Sequence, residues 1–281
     1  MGTLALAAKV THVPSMLISE RPGPHHGCRD AAIAGHHEIS QMAEALGVDT
    51  LIVFDTHWLV NAGYHINANS HHQGIYTSHE FPHFIQNLEY EYEGNSELAH
   101  AIAEIGQSKG LNSMSHEVES LTLEYGTLVP MRYMNSERKF KVVSIAAWCS
   151  VHNLEDSMLL GEAVKEAIDN YDGKVAVIAS GSLSHQIWNN RQVADGMFTI
   201  SSEFNRQADL AFLKLLEEGD IKTALDMMPE YAKYCSGEGG MHDTAMLLGV
   251  LGGRNYQGKA QVLTPYFPSS GTGQCNLLFS L

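Results

Sequence analysis

Thr50-Leu51-Ile52-Val53-Phe54-Asp55-Thr56-His57-Trp58 opens with five apolar or β-favouring residues in succession. That pattern belongs to a strand buried on both faces, as in parallel sheets with helices on either side. The run then stops in Asp55, Thr56, His57 and Trp58. Ligands of open α/β sheets bind beyond the carboxyl ends of the strands, so a histidine at such an end is placed for chemistry.

Working outward, Leu4 to Val10 (LALAAKV) reads as a first strand and ends in Thr11 and His12, while Lys174 to Ala179 (KVAVIA) ends in SGSLSH, Ser180 to His185. Phe140 to Trp148 is a further buried strand. His65 to Asn67, Asn112 to His116 and Cys275 to Phe279 are shorter candidates. Between them, Ile33, Ile39, Ala43 and Leu46 recur at helical spacing with Gly47 as the stop, giving a β-α-β unit. Ser96 is expected to cap a helix to about Gly106. Other helices are expected on Leu160, Val164, Ala167, Ile168 and Tyr171, and from Ile221 to Met228. Another carries Phe204, Ala208, Ala211, Phe212 and Leu215 on its sheet-covering face, and Met241 to Leu251 reads as a buried helix. Val13 to Gly27 and Ser70 to Phe84 read as loops. No repeat or linker interrupts the pattern, so residues 1–281 are expected to form a single α/β domain with a parallel sheet.

Composition excludes several functions. A formal charge of −15 would repel nucleic-acid phosphates. The apolar run near the N-terminus is too short for a spanning helix and lacks a basic leader, so no membrane role is expected. Cys28, Cys149, Cys235 and Cys275 are far apart without metal-type spacing, which suits reduced thiols in the cytoplasm.

The strand ends bring His12, His57 and His185 to one edge of the sheet, and Glu238, between glycines and ahead of an apolar helix, supplies a carboxylate. Two histidines and one carboxylate with open positions form the facial triad of non-haem Fe(II) oxygenases. Asp55 either orients an imidazole from behind or caps the next segment. The remaining histidines are read as structural or surface groups. SSGTGQ (Ser269 to Gln274) lacks the lysine of a phosphate loop and reads as a turn or a cradle for a substrate carboxylate. Ser182 and Ser184 do not sit in the nucleophile elbow of serine hydrolases. A zinc or manganese hydrolase with the same ligands, or a non-catalytic binding protein, would also fit these residues.

KVTHVPSM, LIVFDTHW, LEYGTLVPMRYM, ASGSLSH, GEGGMHD and SSGTGQ together resemble the class III extradiol ring-cleavage dioxygenases, the superfamily of the protocatechuate 4,5-dioxygenase catalytic subunit. The resemblance spans essentially the whole chain. It implies a three-layer α/β/α domain around a mixed, largely parallel sheet. It also implies Fe(II), or Mn(II), on His12, His57 and Glu238, with His185 as acid/base. Substrates would be O2 and a small catechol whose side chain bears a carboxylate, and the enzyme would be a homo-oligomer. Many relatives carry Asp-His-Gly where this chain has Glu124, Tyr125 and Gly126, so either Tyr125 or His116 is left to replace the missing pocket histidine. Trp58 is placed on the pocket wall.

Overall fold

The structure is a computed structural model that describes residues 1–188 and 196–281. In chain order its elements are β1 (Thr3–Val10), α1 (Ser15–Ser19), α2 (Asp30–Leu46), β2 (Thr50–Val60), β3 (Tyr64–Asn67), β4 (His71–Tyr76), β5 (Leu88–Glu93), α3 (Ser96–Ser108) and β6 (Ser113–His116). There follow α4 (Tyr125–Met134), β7 (Lys141–Cys149), α5 (Leu154–Asn170), β8 (Lys174–Ser180), α6 (Glu203–Glu218), α7 (Ile221–Tyr234), α8 (His242–Val250), β9 (Ala260–Ser269) and β10 (Thr272–Phe279).

Eight strands form one mixed sheet in the order β6-β3-β7-β2-β8-β1-β10-β9. Its centre is parallel, with β2 between β7 and β8 and β8 beside β1, whereas β10 and β9 run antiparallel at one side. Strand alternation sends Ile52, Phe54, Val177 and Ala179 to one face, where they pack with residues of α3, α5, α6, α7 and α8. Leu51, Val53, Ala176 and Ile178 go to the other face and meet α2 and α4. The result is the three-layer α/β arrangement, with the carboxyl ends of β1, β2 and β8 side by side.

Several local expectations are corrected. β2 does not end at Phe54. It runs to Val60, but its pairing with β8 stops at Asp55 opposite Ser180, and its pairing with β7 breaks after Asp55 and resumes at Leu59. Thr56, His57 and Trp58 therefore sit on an irregular stretch that turns side chains off the regular pleat. The loop at Val13 to Gly27 contains the short helix α1, and Ser70 to Phe84 contains β4, which pairs with β5 in a separate hairpin. The signal for that hairpin was the alternation of buried Leu88, Tyr90 and Tyr92 with outward Glu89, Glu91 and Glu93 in β5. Asn95, not Ser96, caps α3 by accepting from the Leu98 amide. In α6, Phe204 and Ala211 face outward, and Asn205, Asp209, Phe212, Leu213 and Leu216 form the buried face. In SSGTGQ, Gly271 lies in the turn between β9 and β10, whereas Thr272, Gly273 and Gln274 belong to β10. All four cysteines are free. Among the described residues no helix is long and apolar enough to cross a membrane.

Candidate metal centre

His12 follows β1, His57 lies on the irregular stretch of β2, and Glu238 occupies the turn before α8. Gly239, Gly240 and Met241 are all left-handed there, at φ 55°, 69° and 66°. This sharp turn fits only because Gly239 has no side chain: a Cβ would stand 2.9 Å from Thr56 Cγ2 and 3.0 Å from the Ala147 carbonyl. A buried ion pair from β1, Lys9 Nζ to Asp243 Oδ2 at 2.5 Å, ties down the start of α8.

The donor atoms converge. His12 Nε2 is 2.9 Å and His57 Nε2 3.1 Å from Glu238 Oε1, and one ligand atom from each of the three residues lies within 4.8 Å of the others. Two atoms each about 2.1 Å from a shared ion, at right angles, stand about 3 Å apart.

Proton bookkeeping points the same way. The Ser180 hydroxyl donates to the Gly126 carbonyl, so its oxygen accepts from His12 Nδ1 at 2.9 Å, and the His12 lone pair is left on Nε2. His57 Nε2 is buried and makes no well-formed hydrogen bond, although Glu238 Oε1 lies 3.1 Å away. With His57 Nε2 also in its lone-pair form, three electron-rich atoms face one another, an arrangement that a cation, whether a proton or a metal ion, reconciles. The residues therefore fit a metal of the His/His/Glu type.

Surrounding groups hold these donors. Glu238 Oε2 accepts from the Ser182 amide and hydroxyl, and Oε1 accepts from Thr56 Oγ1 at 3.1 Å. Burial pushes the Glu238 pKa up, but His185, His12 and His57 outweigh it and keep the carboxyl ionised well below the usual value. For His57, burial pulls down while Glu238, Glu80 and Asp55 lift, leaving the ring at about 9. Glu80, exposed over half its side chain, lies 3.5 Å from His57 Nδ1.

His185 joins the same pocket, where its side chain is 27% exposed. Ser182 donates to Glu238 and so accepts from His185 Nδ1 at 2.7 Å, which leaves His185 Nε2 as the lone-pair nitrogen. Surrounding protein lowers the His185 pKa against the pull of Glu238. The Ser184 hydroxyl is spent on Asp209 at 2.8 Å. Asp209 also accepts from the Ser184 amide and from the hydroxyls of Tyr231 and Tyr266, so it anchors the loop that carries His185. Neither Ser182 nor Ser184 has the environment of a nucleophile.

Asp55 does not touch an imidazole. Its Oδ1 accepts from the His57 backbone amide at 2.8 Å and its Oδ2 from Thr127 at 2.6 Å, so it fixes the ligand's main chain instead. α4 packs so closely here that a Cβ on Gly126 would stand 2.1 Å from Asp55 Oδ1. Tyr125 lies over His57, tilted by 30° with centroids 3.7 Å apart, and meets His12 edge-on at 5.5 Å, its hydroxyl donating to Glu80 at 3.3 Å. His116 is elsewhere: it pairs with His65 at 2.7 Å and lines a larger separate cavity with Trp58. Of the two alternatives only Tyr125 reaches the pocket, and Trp58 is not on its wall. Glu80, Ser180 and Asp209 were not singled out by the sequence, because the docking of the β4–β5 hairpin, the end of β8 and α6 brings them in over long chain separations.

With this geometry in hand, the family described as the catalytic LigB subunit of aromatic ring-opening dioxygenase matches residues 6–280, and the chain belongs to it. The protein is thus an extradiol dioxygenase of class III, a metal-dependent kind of enzyme. It is 55% identical to the 3,4-dihydroxyphenylacetate 2,3-dioxygenase of Escherichia coli over 95% of this chain and 97% of that one. The 2-aminophenol 1,6-dioxygenase beta subunit of a Pseudomonas species is 24% identical over 67% of this chain and 64% of its own. The crystal structure of an uncharacterised protein from Escherichia coli K12 shares the fold, with a TM-score of 0.64, 16% identity, and coverage of 98% of this chain and 99% of that one.

Proposed function

We propose that this protein, acting as one catalytic domain, opens the ring of 3,4-dihydroxyphenylacetate with O2. The product is 5-carboxymethyl-2-hydroxymuconate semialdehyde, a step of aromatic catabolism. The observation that carries the substrate is the 55% identity, along nearly the whole length, to an enzyme named for that reaction. His12, His57 and Glu238 would hold Fe(II); Mn(II) suits the same donors. Such an ion supplies Lewis acidity toward the catechol and one place at which the catechol and O2 meet.

The chain's own groups do the rest. His185 Nε2 takes the proton of a catechol hydroxyl and returns it to an oxygen of the opening ring, a role for which a neutral imidazole is suited. Ser182 holds that imidazole in the required tautomer. Tyr125 backs the His57 ring, and Phe81, Phe84 and Ile187 line the pocket and keep water out. The enzyme is read as a cytoplasmic homo-oligomer, which fractionation and light scattering would check.

The test is anaerobic loading with Fe(II), followed by air and 3,4-dihydroxyphenylacetate. One O2 consumed per substrate, with a yellow ring-opened product, is expected. No oxygen uptake would refute the reading, and metal analysis of protein isolated without added metal distinguishes iron from manganese.

A further inference from the structure

The pocket that holds the donors is also walled by Ser15 of α1 and by Ser269, Ser270 and Thr272 around the β9–β10 turn. Behind these serines lies Arg29, 5% exposed. Its Nε donates to Ser15 Oγ at 2.9 Å. One terminal nitrogen donates to Ser269 Oγ at 3.2 Å and to the Met197 carbonyl at 3.0 Å, and the other to the Pro268 carbonyl at 3.2 Å. Phe198 and Phe267 flank the guanidinium at 5.1 and 5.0 Å.

Among the described residues no carboxylate pairs with it, and burial lowers its pKa with only the Cys28 thiol acting the other way. A buried charge without a counter-ion is costly. This chain has 32 acidic residues, so the lack of one here is a matter of placement.

The hydroxyl hydrogens of the two serines are what this site turns toward the pocket. Ser15 and Ser269 each accept a hydrogen from Arg29, so each must donate its own elsewhere. The two oxygens are 3.5 Å apart, which lets one of them, at most and weakly, use the other. Thr272 takes neither hydrogen, since its bonds lie within the turn: Thr11 donates to Gln274, Gln274 to Thr272, and Thr272 to the Ser269 carbonyl. At least one serine hydrogen is left over, on a residue that lines the pocket.

We infer that Ser15 and Ser269, backed by the charge of Arg29, form the subsite for a carboxylate on the substrate's side chain. The inference rests on the ring-cleavage reading and deepens it, since it names what distinguishes an acidic catechol from a neutral one. Contact is made by neutral hydroxyls while the charge stands one layer behind. SSGTGQ contributes Ser269 to this subsite, and its Thr272 and Gln274 serve to fix the turn.

Two measurements on the full chain test it: calorimetric binding of phenylacetate, which has no catechol oxygens, and the ratio of kcat/KM for 3,4-dihydroxyphenylacetate to that for 4-methylcatechol. In a Ser15→Ala, Ser269→Ala double variant, and in Arg29→Met, phenylacetate binding and the ratio should each fall about 10-fold or more, chiefly through KM. Arg29→Lys should recover part of the loss. The serine pair removes two hydroxyls without adding bulk, so it carries the test if Arg29→Met does not fold. Unchanged phenylacetate binding, or equal losses on both catechols, would overturn the subsite. Wild-type protein that binds phenylacetate through these serines yet opens neither catechol would leave the subsite standing and bring down the ring-cleavage reading instead.

Discussion

His12 and His57 present the same ring nitrogen to the same carboxylate oxygen, yet what stands behind them differs. Behind His12 is a buried neutral chain, Ser180 and then the Gly126 carbonyl, at the junction of β8 and α4. Behind His57 is a half-exposed carboxylate, Glu80, carried by the segment between β4 and β5, together with the tilted ring of Tyr125. One candidate ligand is set by the core and the other by a surface hairpin. Directional hydrogen bonds hold the first, and longer-range charge supports the second, so the two should respond differently to substitution, salt and acid.

The largest effect expected is on the carboxylate common to both. Glu238→Ala should lose bound metal and turnover together, read by metal-to-protein ratio and oxygen uptake; full metal content in that variant would remove Glu238 from the ligand set. Acid should act on the His12 side. His36, fully buried beside Asn276 and hydrogen-bonded to the Ala32 carbonyl at 2.8 Å, has its pKa lowered by burial to about 4. Above pH 6.5 the ring is neutral in both folded and unfolded chains and its contribution is fully present. Below that, the unfolded chain takes up a proton that the fold refuses, so stability falls by roughly 3 kcal/mol until about pH 4. Urea midpoints across this range should drop less steeply in His36→Gln.

Smaller effects separate the two ligands directly. Ser180→Ala should weaken metal binding by about 10- to 100-fold, with little dependence on salt. Glu80→Gln keeps an acceptor but loses the charge, so it should cost less than about 10-fold, with a penalty that shrinks as salt rises. Equal losses in competition titrations of the two variants would break the contrast.

Much of the frame was legible because buried parallel strands announce themselves as apolar runs: β1, β2, β7 and β8 fall close to where the sequence put them. Histidines at three strand ends drew attention to the edge where the structure brings His12, His57 and His185 together. Glu238 stood out through its glycines and through family resemblance. What could not be read is whatever depends on partners far along the chain. The irregular stretch at Thr56 to Trp58 arises from broken pairing with β7, so Trp58 was assigned to the wrong cavity. Glu80 arrives on a hairpin whose β4 half, with His71, Gly74 and exposed Ile75, carries little strand pattern. The Asp209 cluster joins α6, α7, β9 and the loop after β8, which no local spacing encodes.

His12 and Glu238 are 226 positions apart in the chain, although their donor atoms are 2.9 Å apart. Bringing such distant segments together is entropically expensive and waits on the docking of everything between them. During synthesis the pocket cannot exist until the last quarter of the protein has emerged and folded back onto β1. A product truncated before Glu238 therefore carries both histidines without the carboxylate they face.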